Sequence, residues 1–160
     1  MEEDFLSEMG YNGVTARLKR LSDTFLYQTK EFYTRHEAGI EPNWHMIFVL
    51  LEEHEQMTVT EMAGRLGLSH PALVKLTKKM KRKGYLTSLR DKADKRQYYL
   101  RLSDRAHEEL PELHRYWRAS EEALADLMNN SRQLLDQLAI VEKNLAERDF
   151  SQRVTDNLTE

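Results

Sequence analysis

Apolar residues return at helical spacing along most of this chain, and the places where that rhythm stops divide it into elements. From Val14 to roughly His36, Leu18, Leu21, Phe25, Phe32 and Tyr33 form one stripe, which predicts an amphipathic helix. The first dozen residues carry acids, Gly10 and no sustained period, so they are expected to be frayed. Gly39 and Pro42 interrupt the pattern. The next stretch, about Asn43 to Glu53, is apolar nearly all round (Trp44, Met46, Ile47, Phe48, Val49, Leu50, Leu51) and reads as a buried helix. Further on, Ser103 is placed to cap a long helix with Asp104 in its first turn, and Pro111 should kink it. Leu110, Leu113, Trp117, Leu124, Leu127 and Met128 keep a helix-seam spacing of about 3.5 residues. Asn129-Asn130-Ser131 reads as a turn with a ready cap, and Leu134, Leu138, Val141 and Leu145 mark a last helix. Beyond Phe150 the chain is polar and expected to be loose. No repeat is visible that would indicate a solenoid.

The middle of the chain is punctuated more sharply. Thr58 and Glu61 form a Thr-x-x-Glu capping box, which starts a short helix. Gly67 ends it, because glycine takes the left-handed conformation of a helix stop at little cost. Ser69 caps a second helix with Pro71 in its first turn, where a missing N–H is harmless. Two helices joined by so short a glycine-containing turn are a helix-turn-helix, and Ala63 is small where they would cross. In the second helix Leu73, Leu76 and Met80 define a core face, opposite His70, Ala72, Lys75, Lys78, Lys79 and Arg82. Gly84 closes this helix. Two β-prone runs, Tyr85 to Arg90 and Arg96 to Leu102, flank the polar turn Asp91-Lys92-Ala93-Asp94-Lys95, which predicts a hairpin, or wing.

Charge sharpens the picture. The net charge of −3 hides a division. Residues 65–101 hold 12 Lys and Arg against Asp91 and Asp94, a local balance of +10, and the remainder stands at −13. An acidic protein with one intensely basic segment attracts phosphate there and repels it elsewhere. Lysines near a helix C-terminus, such as Lys81 and Lys83, also complement the helix dipole, but here the basic segment coincides with a groove-reading motif.

The Leu-Gly-Leu-Ser turn at 66–69, the Lys-Gly-Tyr-Leu helix exit at 83–86, Asp94-Lys95-Arg96 in the wing and Leu-Arg-Leu-Ser-Asp at 100–104 together resemble the MarR family of winged helix-turn-helix transcription regulators. The resemblance runs from about Gly13 to Phe150. It implies a mainly α fold with a small β-hairpin wing. A single MarR-type domain would span 1–160, with a DNA-binding part at 43–102 and a helical dimerisation part at 14–40 and 104–150. It also implies a homodimer on a palindromic operator, released from double-stranded DNA by a small aromatic or phenolic effector, as a repressor would be. On this reading His70, Ala72 and Lys75 face base edges and Pro71 touches a thymine methyl or sugar. Ser69 caps the reading helix, and Lys78, Lys79 and Arg82 bind phosphates. The wing contributes Lys92, Lys95 and Arg96, with Arg96 in the minor groove and Asp94 orienting it. An effector cleft would draw on Phe25, Phe32, Tyr33, Trp44, His45 and Phe48. One departure is that the reading helix starts His-Pro-Ala where many members of the family carry hydroxyl residues.

Other chemistry is sparse. The pairs His36-Glu37, His54-Glu55 and His107-Glu108 lack a second histidine four residues on, so the two-histidine zinc arrangement of a metalloprotease is missing. No glycine-rich phosphate loop, nucleophile elbow or cofactor motif occurs, and the expectation is a non-enzyme without cofactor or metal. The rival readings are a winged-helix protein-interaction module and a zinc-responsive regulator using His107 and His114. The chain has no cysteine, which excludes disulfides and thiol-based sensing and fits a reducing cytoplasm. The acidic N-terminus argues against a signal peptide, and the longest apolar run is far too short to span a bilayer.

Overall fold

The computed structural model describes residues 4–90 and 97–158. The chain divides into two compact units, Met1–Pro111 and Glu112–Glu160. The predicted fold class holds: the protein is mainly helical with one small antiparallel sheet. None of its helices, among the described residues, is long and apolar enough to cross a membrane.

The first unit opens with a correction. The expected frayed N-terminus contains α1 (Phe5–Glu8) and a 3-10 turn over Gly10–Gly13. A bidentate ion pair secures it, Arg20 donating to the two Asp4 oxygens at 2.6 and 3.0 Å. Gly13 is also required there, because a Cβ would lie 2.2 Å from the Leu6 carbonyl oxygen. The helix α2 (Val14–Arg35) follows as expected, but it buries only Tyr33. Leu18, Leu21 and Phe25 remain exposed along its stripe.

A 3-10 turn at Pro42–Trp44 leads into α3 (His45–His54), which buries Ile47, Phe48 and Leu51. Val49 stays exposed, so this helix is not covered on every side. Next come β1 (Met57–Thr58), α4 (Val59–Leu66), α5 (His70–Arg82), β2 (Leu86–Arg90) and β3 (Tyr98–Leu102). The sheet order is β1-β3-β2, with Met57 opposite Leu100, and Ser88 opposite Leu100 on the other side. The two-residue strand β1 is an addition to the expected hairpin.

Trp44, Ile47, Phe48, Met62, Leu73, Met80 and Tyr85 are fully buried and make the core of this unit. Tyr85 holds its centre, edge-on to Trp44 at 5.6 Å and to Phe48 at 5.7 Å between ring centroids. Such tilted aromatic pairs are favourable beyond the area they bury.

The helix α6 (Asp104–Leu127) starts in the first unit and runs on through Pro111 as one element. Ser103 caps it, its hydroxyl accepting from the Ala106 N–H at 3.1 Å. Asn129 and Asn130 both take positive φ after it, a conformation asparagine tolerates better than most residues.

The second unit carries the end of α6, then α7 (Gln133–Glu147) and α8 (Phe150–Leu158). The segment expected to be loose beyond Phe150 is thus a helix. The Asp149 side chain caps α8 by accepting from the Gln152 N–H at 2.9 Å. Arg153 donates back to the Asn144 and Arg148 carbonyls at 2.6 and 3.1 Å, which ties α8 to the end of α7. Ser131 accepts from the Gln133 N–H at 3.3 Å, although Arg132 occupies the cap position of α7. Neither α7 nor α8 buries a single residue.

Candidate nucleic-acid interface

The turn between α4 and α5 forms from local signals. Thr58 accepts from the Glu61 N–H at 3.2 Å, and Glu61 accepts from the Thr58 N–H at 2.7 Å and its hydroxyl at 2.9 Å. These bonds to the ionised carboxylate hold the Glu61 pKa below the usual glutamate value. Gly67 has φ +62 and lets the chain leave α4. Ser69 then accepts from the Ala72 N–H at 3.4 Å, a long capping bond, with Pro71 just inside α5.

The two faces of α5 part cleanly. Leu73, Thr77 and Met80 are buried, in place of the expected Leu73, Leu76 and Met80. Leu76 is only half-buried. Thr77 can occupy a core position because its hydroxyl donates to the Leu73 carbonyl at 2.9 Å, so its polarity is satisfied within the helix. On the other side Ser69, His70, Pro71, Ala72, Lys75, Lys78 and Arg82 are exposed. Ala72, Lys75, Lys78 and Arg82 recur three to four residues apart and share one face. Lys79 differs: it is half-buried and ion-paired with Glu41, in the loop before α3.

Gly84, at φ +82, stops α5, with the Tyr85 N–H returning to the Met80 carbonyl at 3.0 Å. The chain then enters the wing. Lys92, Asp94, Lys95 and Arg96 lie outside the described residues. The strands β2 and β3 add cations to which no binding role was assigned from sequence. Arg90 lies over the Tyr98 ring at 5.9 Å, and Arg101 donates to the Thr87 hydroxyl at 3.3 Å. Lys81 reaches from α5 to the Ser88 hydroxyl at 2.5 Å, joining α5 to β2. Their signal was present in the local charge, without a motif to assign it.

The six aromatic-cleft residues divide differently from the expectation. Tyr33, Trp44 and Phe48 are buried, the last two against Tyr85, so they fill core rather than line a cleft. Phe32 is half-buried, with its ring 4.4 Å from that of His36, while Phe25 and His45 are exposed. None of the six lines either of two open cavities in the first unit. One, of about 400 Å3, runs beside Tyr27, Lys30, Glu31, Thr34 and Arg35 on α2. The other, of about 500 Å3, is walled by Glu52, Glu55, Arg101, Asp104 and His107 over Leu51, Leu102 and Leu110. Among the described residues no group of three or more His, Asp or Glu could hold a metal ion.

A helix-turn-helix whose second helix turns a polar, basic face outward beside a strand pair defines a winged helix-turn-helix. Residues 38–97 match the family model described as MarR family, and the chain has the fold of MarR-family transcription regulators. No curated protein matches it in sequence. Three solved structures illustrate the likeness in fold. A MarR/EmrR family transcriptional regulator from Acinetobacter sp. ADP1 is 23% identical, over 86% of this chain and 94% of that one, with a TM-score of 0.68. Overoxidized AbfR bound to DNA, a protein of Staphylococcus epidermidis, is 20% identical over 84% and 93%, at 0.66. A mutant MarR from E. coli complexed with operator DNA is 14% identical over 89% and 99%, at 0.67.

Proposed function

We propose that this protein is a transcription regulator that binds double-stranded DNA through α5 and the wing. The observation that carries the reading is the division of α5 into a buried face and an exposed face of Ala72, Lys75, Lys78 and Arg82, within a segment of local charge +10. His70, Ala72 and Lys75 read base edges in the major groove, with Pro71 alongside. Lys78 and Arg82 bind phosphates, and Lys79 joins them when it leaves Glu41. Lys92, Lys95 and Arg96, positioned by Asp94, serve the wing. DNA-bound structures of AbfR and of MarR with this fold support the assignment.

The working form is a homodimer on a palindrome. The exposed stripes of α2, α6 and α7 are the surfaces that dimerisation would cover, and a two-fold dimer sets its reading helices one DNA turn apart. A small aromatic effector would have to act from the side of Phe25, Phe32 and His45, because Tyr33, Trp44 and Phe48 are filled core positions.

Titration of a mixed-sequence duplex over a range of salt tests the reading. Neutralising about four to six phosphates per subunit gives a dimer log–log slope of about −7 to −11. A slope shallower than about −3, or no binding at low salt, sinks it in favour of a protein-interaction module.

A further inference from the structure

The exit of α5 is held by the start of α6 in unusual detail. Three consecutive carbonyls, Lys83, Gly84 and Tyr85, accept from Arg105 Nη1 at 2.7 Å, Ser103 Oγ at 2.6 Å and the Ser103 N–H at 3.0 Å. The Arg105 guanidinium also donates through Nε to Glu109 at 2.9 Å and through Nη2 to the Tyr85 hydroxyl at 3.2 Å. Its Cζ lies 4.5 Å from the centre of the Tyr85 ring. The Tyr85 hydroxyl donates to Glu109 at 2.7 Å. Gly39 closes the cluster from the loop before α3: a Cβ there would lie 2.7 Å from the Tyr85 oxygen and 3.2 Å from Arg105 Nη2. The Tyr85 ring is fully buried and cannot swing aside cheaply.

We propose that Arg105 is a positioning residue for DNA reading, a latch that fixes the pitch of α5 from its far end. The inference rests on the DNA-binding reading above. The lever is long. From Lys83 to His70 is about 20 Å along a helix, so a swing of about ten degrees carries His70 and Ala72 by about 3 Å. Base-edge hydrogen bonds fail at displacements well below that, whereas phosphate attraction tolerates them. Arginine suits the task because its planar fork serves three acceptors and one ring face at once, which a lysine ammonium cannot. Its own place is firm: Glu109 is its ion-pair partner, and the neighbouring hydroxyl of Tyr85 is held protonated, its pKa pushed up to about 12 chiefly by burial.

The test uses the full-length protein and two probes, the best-bound duplex selected by it from a random pool and a mixed-sequence duplex of equal length. Arg105→Ala and Gly39→Ala are expected to weaken binding to the selected duplex by about 3- to 30-fold, with mixed-sequence binding and the salt slope unchanged. Gly39→Ala removes no polar group, so it disturbs the latch from the opposite side. Arg105→Lys should fail to restore selectivity, and Tyr85→Phe, which keeps the stacked ring, should lose less than Arg105→Ala. Should the alanine at Gly39 prevent folding, Arg105→Lys and Tyr85→Phe carry the test. A parallel loss on both duplexes with the slope reduced by about one would make Arg105 a phosphate contact and overturn the inference. A lowered melting temperature with the ratio of the two affinities unchanged would reduce it to a stabilising residue and overturn it as well. If the wild-type protein binds neither duplex, the DNA reading itself falls.

Discussion

Helices α5 and α7 are both amphipathic, and the structure treats them oppositely. In α5 the apolar face is buried by its own unit, with Leu73 and Met80 fully enclosed. In α7 the corresponding stripe stays in the open: Leu134, Leu135, Ile140, Val141 and Leu145 are each 44–51% exposed. The same pattern of residues thus yields a packed helix where a core lies beneath it and an uncovered one where none does. Periodicity identifies a face that needs covering, and says nothing of whether the cover comes from the same chain.

The comparison breaks first at α7. If a second copy covers its stripe, Val141→Asp with Leu145→Asp removes four buried side chains from a symmetric pair, each worth about 1.5–3 kcal/mol. Sedimentation should then show monomers where the wild type forms dimers; an unchanged assembly would mean the stripe lies outside the interface. Next comes α5. Leu73→Ala should lower stability by about 2–5 kcal/mol through the lost burial and the cavity left behind. Denaturant unfolding would measure this, and the loss should not depend on protein concentration if the Leu73 contacts are internal to one chain.

The smallest effect lies at the cap of α4. Thr58→Ala should cost about 1 kcal/mol. Because hydrogen bonds lower the Glu61 pKa in the folded state, its contribution is complete above the usual glutamate range and disappears as pH falls through the lowered value. The stability difference between wild type and Glu61→Gln should be flat near neutrality and shrink in acid. A difference that grew on acidification would contradict the sign of the shift.

Much of the winged unit was readable because its signals are local. Thr58 and Glu61, Gly67, Ser69 and Gly84 each act within a few residues and fold as their types require. The misses depend on distant partners or on weak local cues. Strand β1 is two residues long and exists through pairing with Leu100 and Tyr99, some forty residues away. Asp4 orders the N-terminus through Arg20, a contact invisible to periodicity. Thr77 takes the core position expected of Leu76, which periodicity alone does not signal, because its hydroxyl turns back on its own helix. The all-round apolar stretch marks Trp44 and Phe48 as buried, but not what covers them, because Tyr85, which meets both, belongs to another element. The helix α8 was the avoidable miss: Asp149-Phe-Ser-Gln152 is a capping sequence, and the structure uses it.

Thr58 belongs to two structures at once. It pairs with Tyr99 at the edge of the sheet and is also the residue from which α4 springs. The hairpin and the paired helices therefore share a residue, and neither can open without disturbing the other. The expected consequence is coupled fluctuation: the amides of β1, β3 and α4 should exchange with solvent as one cooperative unit. Thr58 and Tyr99 are far apart along the chain, so closing that unit requires a loop of about forty residues, and its assembly is expected to come late in folding.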